Sequence, residues 1–206
     1  DIYAWDESGN TEKCIVFFFL IPDETVDCYY EMQEINGYIL DPSGQPIVNA
    51  QVVLHASIPE YPKVVQTNDQ GYYEFTNFLL GIDFEITVSK EDSYISNVTT
   101  LDLVKLQHHM LGLSALPSAH HAFAGDVDDD GDLRARDLLT LRKLIFGVIT
   151  ELPETLPWRV IDSAYDFNDP TGLPGYPDNH RQNIIGGPFT QAPYNFVGVK
   201  MGNVTY

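Results

Sequence analysis

Residues 126–137 read Asp126-Val127-Asp128-Asp129-Asp130-Gly131-Asp132-Leu133-Arg134-Ala135-Arg136-Asp137. Counted from Asp126, acids stand at loop positions 1, 3, 5 and 12, with glycine at 6. A hard divalent cation that takes six to eight oxygens needs carboxylates converging from alternate positions. The glycine permits the sharp turn that brings them together. This is the spacing of a twelve-residue calcium loop. Asp126, Asp128, Asp130 and Asp137 offer carboxylates, and Asp132 offers its main-chain carbonyl at position 7. Asp137 stands where such loops usually carry a bidentate Glu. Its shorter side chain implies one oxygen fewer or a helix drawn closer. The alternative is a solvated acidic turn, which requires four acids to fall in register with a glycine by chance. The spacing predicts Ca2+; it does not prescribe a reaction.

Helices must flank such a loop, and the sequence supplies them as an internal repeat. Asp102-Leu103-Val104-Lys105-Leu106 through Leu111-Gly112 recurs 35 residues later as Asp137-Leu138-Leu139-Thr140-Leu141 through Phe146-Gly147. Each copy has apolar residues at helical spacing and ends at a glycine suited to a helix stop. Each places an Asp near the helix start, where the dipole favours negative charge. The first copy's loop departs from the second. It runs Glu91-Asp92-Ser93-Tyr94-Ile95-Ser96, with Ile95 where an acid is expected and no glycine. Asp92, Thr99 and Asp102 remain as ligands for a weaker, shortened second site.

Upstream, residues 34–92 carry five short strand signals separated by turn signals. The strands are Ile35–Leu40, Ala50–Leu54, Val64–Thr67, Tyr72–Phe75 and Phe84–Val88. The turns are Asp41-Pro42-Ser43-Gly44 and Asn68-Asp69-Gln70-Gly71. This pattern predicts a small antiparallel β-sandwich. Residues 151–206 are rich in Pro, Gly, Asn and Tyr and read as long loops between two strands.

The chain opens with Ile2-Tyr3-Ala4-Trp5 and the turn Glu7-Ser8-Gly9-Asn10, a hairpin signal. It begins inside a strand-like pattern, as expected of a processed product or a piece of a longer polypeptide. The run Ile15–Ile21 is apolar without alternation, so both of its faces require burial. An exposed edge of this kind aggregates unless something covers it. A neighbouring copy could do so by strand addition, and a head-to-tail contact that does not close gives a filament. Folding back onto its own chain, or completion by an absent remainder of the domain, would cover it equally well. Cys14 and Cys28 are the two cysteines. A disulfide closing that loop would contribute about 3 kcal/mol and fits an oxidising, extracellular setting. The alternative is two unpaired buried thiols.

The formal net charge of −19 opposes nucleic acid and anionic membrane surfaces. No apolar run is long enough to span a bilayer. His108-His109 and His120-His121 invite a zinc reading. Helical neighbours diverge by about 100° and cannot both face one metal, so surface or interhelical roles are expected. No nucleophile elbow, phosphate loop or dinucleotide fingerprint occurs. Acids are abundant, but a glycosidase pair needs a rigid cleft that such small modules scarcely provide. The expectation is a non-enzyme.

Residues 35–88, through Ile35-Asn36-Gly37, Asp41, Gly44, Pro46, Ala50, Val52, Leu54, Thr67, Gly71, Tyr73, Phe75, Gly81 and Val88, resemble the carboxypeptidase regulatory-like β-sandwich, a non-catalytic spacer. The helical repeat with its EF-hand-type loop resembles a type I dockerin. The combination is similar to large surface proteins of marine and freshwater Bacteroidetes. These continue into a Trp-Arg-x-x-Asp segment, here Trp158-Arg159-Val160-Ile161-Asp162, and a strand like Phe196-Val197-Gly198-Val199-Lys200. The first hairpin is similar to the closing strands of an immunoglobulin-like repeat. The resemblance implies four parts in a mainly β chain: 1–33 a hairpin or donor strand; 34–92 the sandwich; 93–150 a dockerin-like calcium-binding helix pair; and 151–206 a loop-rich segment with a terminal strand. It implies an exported protein of the cell surface. The expected role is a calcium-stabilised structural subunit of an adhesive stalk or filament. Its partners would be other copies of itself or neighbouring surface-protein modules, with no nucleic acid and no membrane insertion. The alternative role is a docking module for a cohesin-like partner.

Overall fold

A computed structural model describes residues 2–5, 11–14, 32–79, 82–165, 167, 181–184 and 193–206. The chain divides into two units, Asp1–Glu31 and Met32–Tyr206. In the first, β1 (Ile2–Trp5) pairs antiparallel with β2 (Thr11–Cys14), with Ile2 opposite Cys14 and Trp5 opposite Thr11. The apolar run Ile15–Ile21 and Cys28 lie outside the described residues, so the strand-addition and disulfide expectations fall there.

Among its described residues the second unit is β-rich, with two four-stranded sheets and three helices. Five strands fall where the alternation places them: β3 (Met32–Leu40), β4 (Gln51–Ala56), β5 (Lys63–Gln66), β6 (Tyr72–Leu79) and β7 (Phe84–Ser89). Their inward residues are Ile35 and Ile39, Val52 and Leu54, Tyr73, Phe75 and Phe78, and Phe84, Ile86 and Val88, which form one buried apolar cluster. Fully burying side chains of this size contributes roughly 1.5–3 kcal/mol each.

The helices are α1 (Thr100–Met110), α2 (Ala119–Gly125) and α3 (Ala135–Ile145). Left-handed Gly112 and Gly147 follow the C-caps of α1 and α3, as the repeat foretells. α2 adds a third helix to the expected pair. Leu106, Phe123, Leu141 and Leu144 gather into a second buried cluster. Among the described residues no helix is long and apolar enough to cross a membrane.

The segment expected to be mainly loops supplies three strands. These are β8 (Trp158–Asp162), β9 (Arg181–Ile184) and β10 (Phe196–Lys200). One sheet runs β6-β3-β10-β8 and the other β5-β4-β7-β9. β10 lies parallel to β3 and antiparallel to β8. β8 and β10 are buried on both faces. Val160 and Phe196 belong to the sheet cluster, while Ile161 and Val199 belong to the helical cluster. The pleat sends successive side chains to opposite faces, so one strand pair forms the wall between two cores.

The approach to β10 is tight. Tyr194 N–H donates to Asn36 O at 2.7 Å, and the Tyr73 hydroxyl donates to Tyr194 O at 2.7 Å. A Cβ on Gly37 would fall 1.9 Å from Tyr194 O. Only glycine lets the two backbones meet there. We predict that Gly37→Ala destabilises the protein by at least about 1–3 kcal/mol, read as a lower urea midpoint by circular dichroism. A wild-type midpoint would show that the segment entering β10 yields freely.

Candidate metal centre

The acidic loop leaves α2 at its C-cap, Asp126, and enters α3 at its N-cap, Arg134. Its path needs two left-handed residues, Asp129 at φ 55° and Gly131 at φ 83°. Asp tolerates that region better than most residues, and glycine enters it without steric cost. The turn aims Asp126, Asp128 and Asp130 inward. One carboxylate oxygen from each lies within 4.8 Å of the others. Oxygens bound to one Ca2+ at 2.3–2.6 Å stand at most about 5 Å apart, so the three fit a shared ion.

Hydrogen bonds organise the loop around this cluster. Asp126 Oδ1 accepts the Asp130 amide at 3.2 Å, and Oδ2 accepts the Gly131 amide at 3.0 Å. Asp137, at position 12, accepts the amides of Val127 (3.0 Å) and Asp128 (3.3 Å) on Oδ1 and that of Arg134 (2.8 Å) on Oδ2. Asp137 thus ties both ends of the loop together. Asp132 turns its carboxylate to Arg134, which leaves its main-chain carbonyl as the position-7 donor.

Asp128 is different. Its side chain is 3 % exposed, and neither carboxylate oxygen has a hydrogen-bond partner. Arg136 Nε stands 2.9 Å from Oδ2 without hydrogen-bond alignment, and it is a solvent-exposed group. A buried carboxylate left in this way is costly unless a cation completes it. The donor set is all oxygen, which suits a hard cation and not zinc.

The electrostatics agree. Burial, with the charges of Asp137 and Asp129 adding to it, pushes the Asp126 carboxyl up to about 7 against the amides that favour its charge. Burial and the Asp128 charge push Asp137 up to about 6. Both shifts record negative charge confined with too little compensation.

Two basic residues that carried no role in the sequence reading frame the loop. Arg159 of β8 is buried, pairs with Asp129, and stacks its guanidinium 4.6 Å from the centre of the Phe123 ring. It joins the loop to the two-core wall. The Trp-Arg-x-x-Asp pattern contained Arg159, but only tertiary contact reveals its partner. Arg134 pairs with Asp130 at 3.4 Å.

The first repeat is arranged otherwise. Asp92, Thr99 and Asp102 belong to no compact acidic cluster among the described residues. Thr99 caps α1, and Asp102 completes the capping box. Asp92 Oδ1 accepts the Ser93 amide at 2.8 Å, and Oδ2 accepts Trp158 Nε1 at 3.1 Å. The histidines have local partners. His109 Nδ1 accepts the Leu116 amide at 3.2 Å, His121 Nδ1 lies 2.8 Å from Ser118 Oγ, and His120 meets the edge of Phe167. On the outer helix surfaces Val104, Leu111 and Leu113 are exposed, as are their repeat equivalents Leu139, Phe146 and Val148.

A raised carboxyl pKa sets the sign of the pH response. Unfolded, Asp126 ionises near 3.8; folded and without metal it holds its proton up to about 7. The folded state therefore binds more protons between those values, and its stability falls as pH rises through them. We predict that the metal-free protein melts higher at pH 5 than at pH 7.5, and that saturating calcium removes or reverses the trend. Asp126→Asn should abolish the calcium-induced shift and shrink the trend to the part that Asp137, pushed up to about 6, contributes. Melting curves with and without chelator test this, and a metal-free melting temperature that rises with pH would refute it.

No family model and no curated protein matches this chain. Among solved structures, the C-terminal fragment of pilus adhesin SpaC from Lactobacillus rhamnosus GG is similar over part of its length, at 17% identity and a TM-score of 0.28. That match covers 33% of this chain and 27% of the adhesin fragment.

Proposed function

We propose that this protein is a calcium-stabilised structural subunit of an extracellular filament or adhesive stalk, and that it is not an enzyme. The observation that carries the calcium reading is the Asp128 carboxylate, buried and without a hydrogen-bond partner beside Asp126 and Asp130. Ca2+ would take carboxylate oxygens from these three and the Asp132 carbonyl. Asp137 holds the loop ends, with any remaining lone pair available to the ion. A cation there offsets the crowded charge and stiffens the α2–α3 junction. Arg159 then carries the constraint into β8. The two sheets fit the carboxypeptidase regulatory-like sandwich, and α1, α3 and the loop fit a dockerin-like module. Fused by a shared wall, they make a segment suited to bearing load. Millimolar calcium outside cells would keep the loop filled. Assembly is by strand addition through the apolar run Ile15–Ile21 of a neighbouring copy.

A second reading has its own observation. Exposed apolar residues recur at equivalent positions of the two repeats, Val104 with Leu139, Leu111 with Phe146 and Leu113 with Val148. Such a patch suits a docking module that attaches an enzyme or scaffold to a cohesin-like partner.

Electron microscopy of purified protein separates the two. The filament reading expects fibres in calcium that are lost when residues 1–22 are deleted, while the remaining unit keeps its melting transition. Fibres that survive the deletion would sink strand addition. Monodisperse particles in calcium that bind a cohesin-like domain, and lose it on Leu139→Asp with Val104→Asp, would favour docking. Chelation should lower the melting temperature by several degrees; an unchanged melt would remove the calcium claim.

A further inference from the structure

The repeat offset of 35 residues sets Glu91–Asp102 in register with the metal loop Asp126–Asp137. Asp102 and Asp137 are therefore equivalent, and both are fully buried. One half of each carboxylate does the same work. Asp102 Oδ2 accepts the Thr99 amide at 2.7 Å, as Asp137 Oδ2 accepts the Arg134 amide. The other half does not. Asp137 Oδ1 takes two amides from its own loop. Asp102 Oδ1 takes the Val204 amide at 2.8 Å and the Thr205 hydroxyl at 2.8 Å, from the far end of the sequence.

The same terminal segment brings a positive charge. Lys200 is wholly buried, its ammonium donating to Ser93 O and standing 3.6 Å from Asp92 Oδ2. The Trp158 ring lies beneath it at 5.7 Å. Ser93 is the register equivalent of Asp128, the buried acid of the second loop whose carboxylate has no hydrogen bond. The acids needed by a divalent ion at positions 3 and 5 are here Ser93 and Ile95. One carboxylate and one carbonyl match a single ammonium, not a calcium ion. Burial opposes the charge on Asp92, but hydrogen bonds from Trp158 Nε1 and the Ser93 amide, with the Lys200 ammonium, outweigh it and hold this carboxyl below its usual value. Burial also lowers Lys200, with Asp92 acting against it, so the pairing rests on the contacts themselves.

We propose that the loop of the first repeat, residues 91–102, binds no metal and is instead a built-in receptor for the chain's own segment Lys200–Thr205, with the Lys200 ammonium as its cation. The receptor fastens β10 immediately after its last residue. The second repeat holds a loop by metal; the first holds a strand by lysine. The inference rests on the calcium reading only where ions are counted.

Native mass spectrometry of the full chain in calcium supplies the first test. One ion is expected in the wild type and none in the Asp126→Ala, Asp130→Ala variant. Two ions in the wild type, or one retained in the variant, would overturn the proposal. No ion in either defeats the calcium reading of the second loop but agrees with a metal-free first loop. Hydrogen exchange supplies the test of the receptor itself. In chelator, Thr205→Val and Asp102→Asn should each speed exchange of the Val204 amide at least tenfold. Lys200→Met should lower the melting temperature by about 5 °C, by equal amounts in calcium and in chelator. Wild-type exchange at Val204 in both variants, or a Lys200→Met loss seen only in calcium, would refute the receptor.

Discussion

Three acids with carboxylate oxygens held within 4.8 Å of one another are the constraint on the turn between α2 and α3. At an effective dielectric of 20, two like charges at that distance repel by about 3 kcal/mol, less for Asp130, which reaches solvent. Amide hydrogen bonds to Asp126 and Asp137 soften this. No hydrogen bond reaches Asp128, and the exposed guanidinium of Arg136 stands 2.9 Å from its Oδ2. The loop could take a metal ion between these acids, and proton uptake by Asp126, whose carboxyl burial pushes up to about 7, relieves the same crowding.

What prevents the loop from relaxing outward is the wall behind it. β8 and β10 contribute alternate residues to two apolar clusters, so neither cluster can shift without disturbing the other. Arg159 links the acidic turn to that wall through Asp129 and Phe123. Local charge and global packing are therefore coupled by one buried guanidinium. Through this contact the acidic turn is tied to both apolar clusters.

Much of this was legible in the sequence, and the gaps have physical causes. Strands β3 to β7 follow from period-two alternation between strong turns, because each buries one face against the opposite sheet. The helices α1 and α3 and the acidic loop before α3 follow from spacing and repeat. β9 was hidden among turn residues. β8 and β10 were visible as strands, but their place beside β3 depends on contacts across more than a hundred residues, which no local pattern records. The short helix α2 was missed because Ala119–Gly125 is buried on nearly every side, leaving no amphipathic period to detect. Spacing alone makes Asp102 a candidate ligand; the partners of its Oδ1, Val204 and Thr205, lie at the other end of the sequence.

The place of β10 also shapes how the molecule is made. It follows every other strand in the sequence, yet it lies inside its sheet between β3 and β8. During synthesis, β3 to β7 can pair as they emerge, but the side of β3 that receives β10 stays open until about a hundred further residues have left the ribosome. Folding dominated by such distant pairings is slow. For that interval the nascent chain carries an unfilled slot that any extended apolar segment could enter.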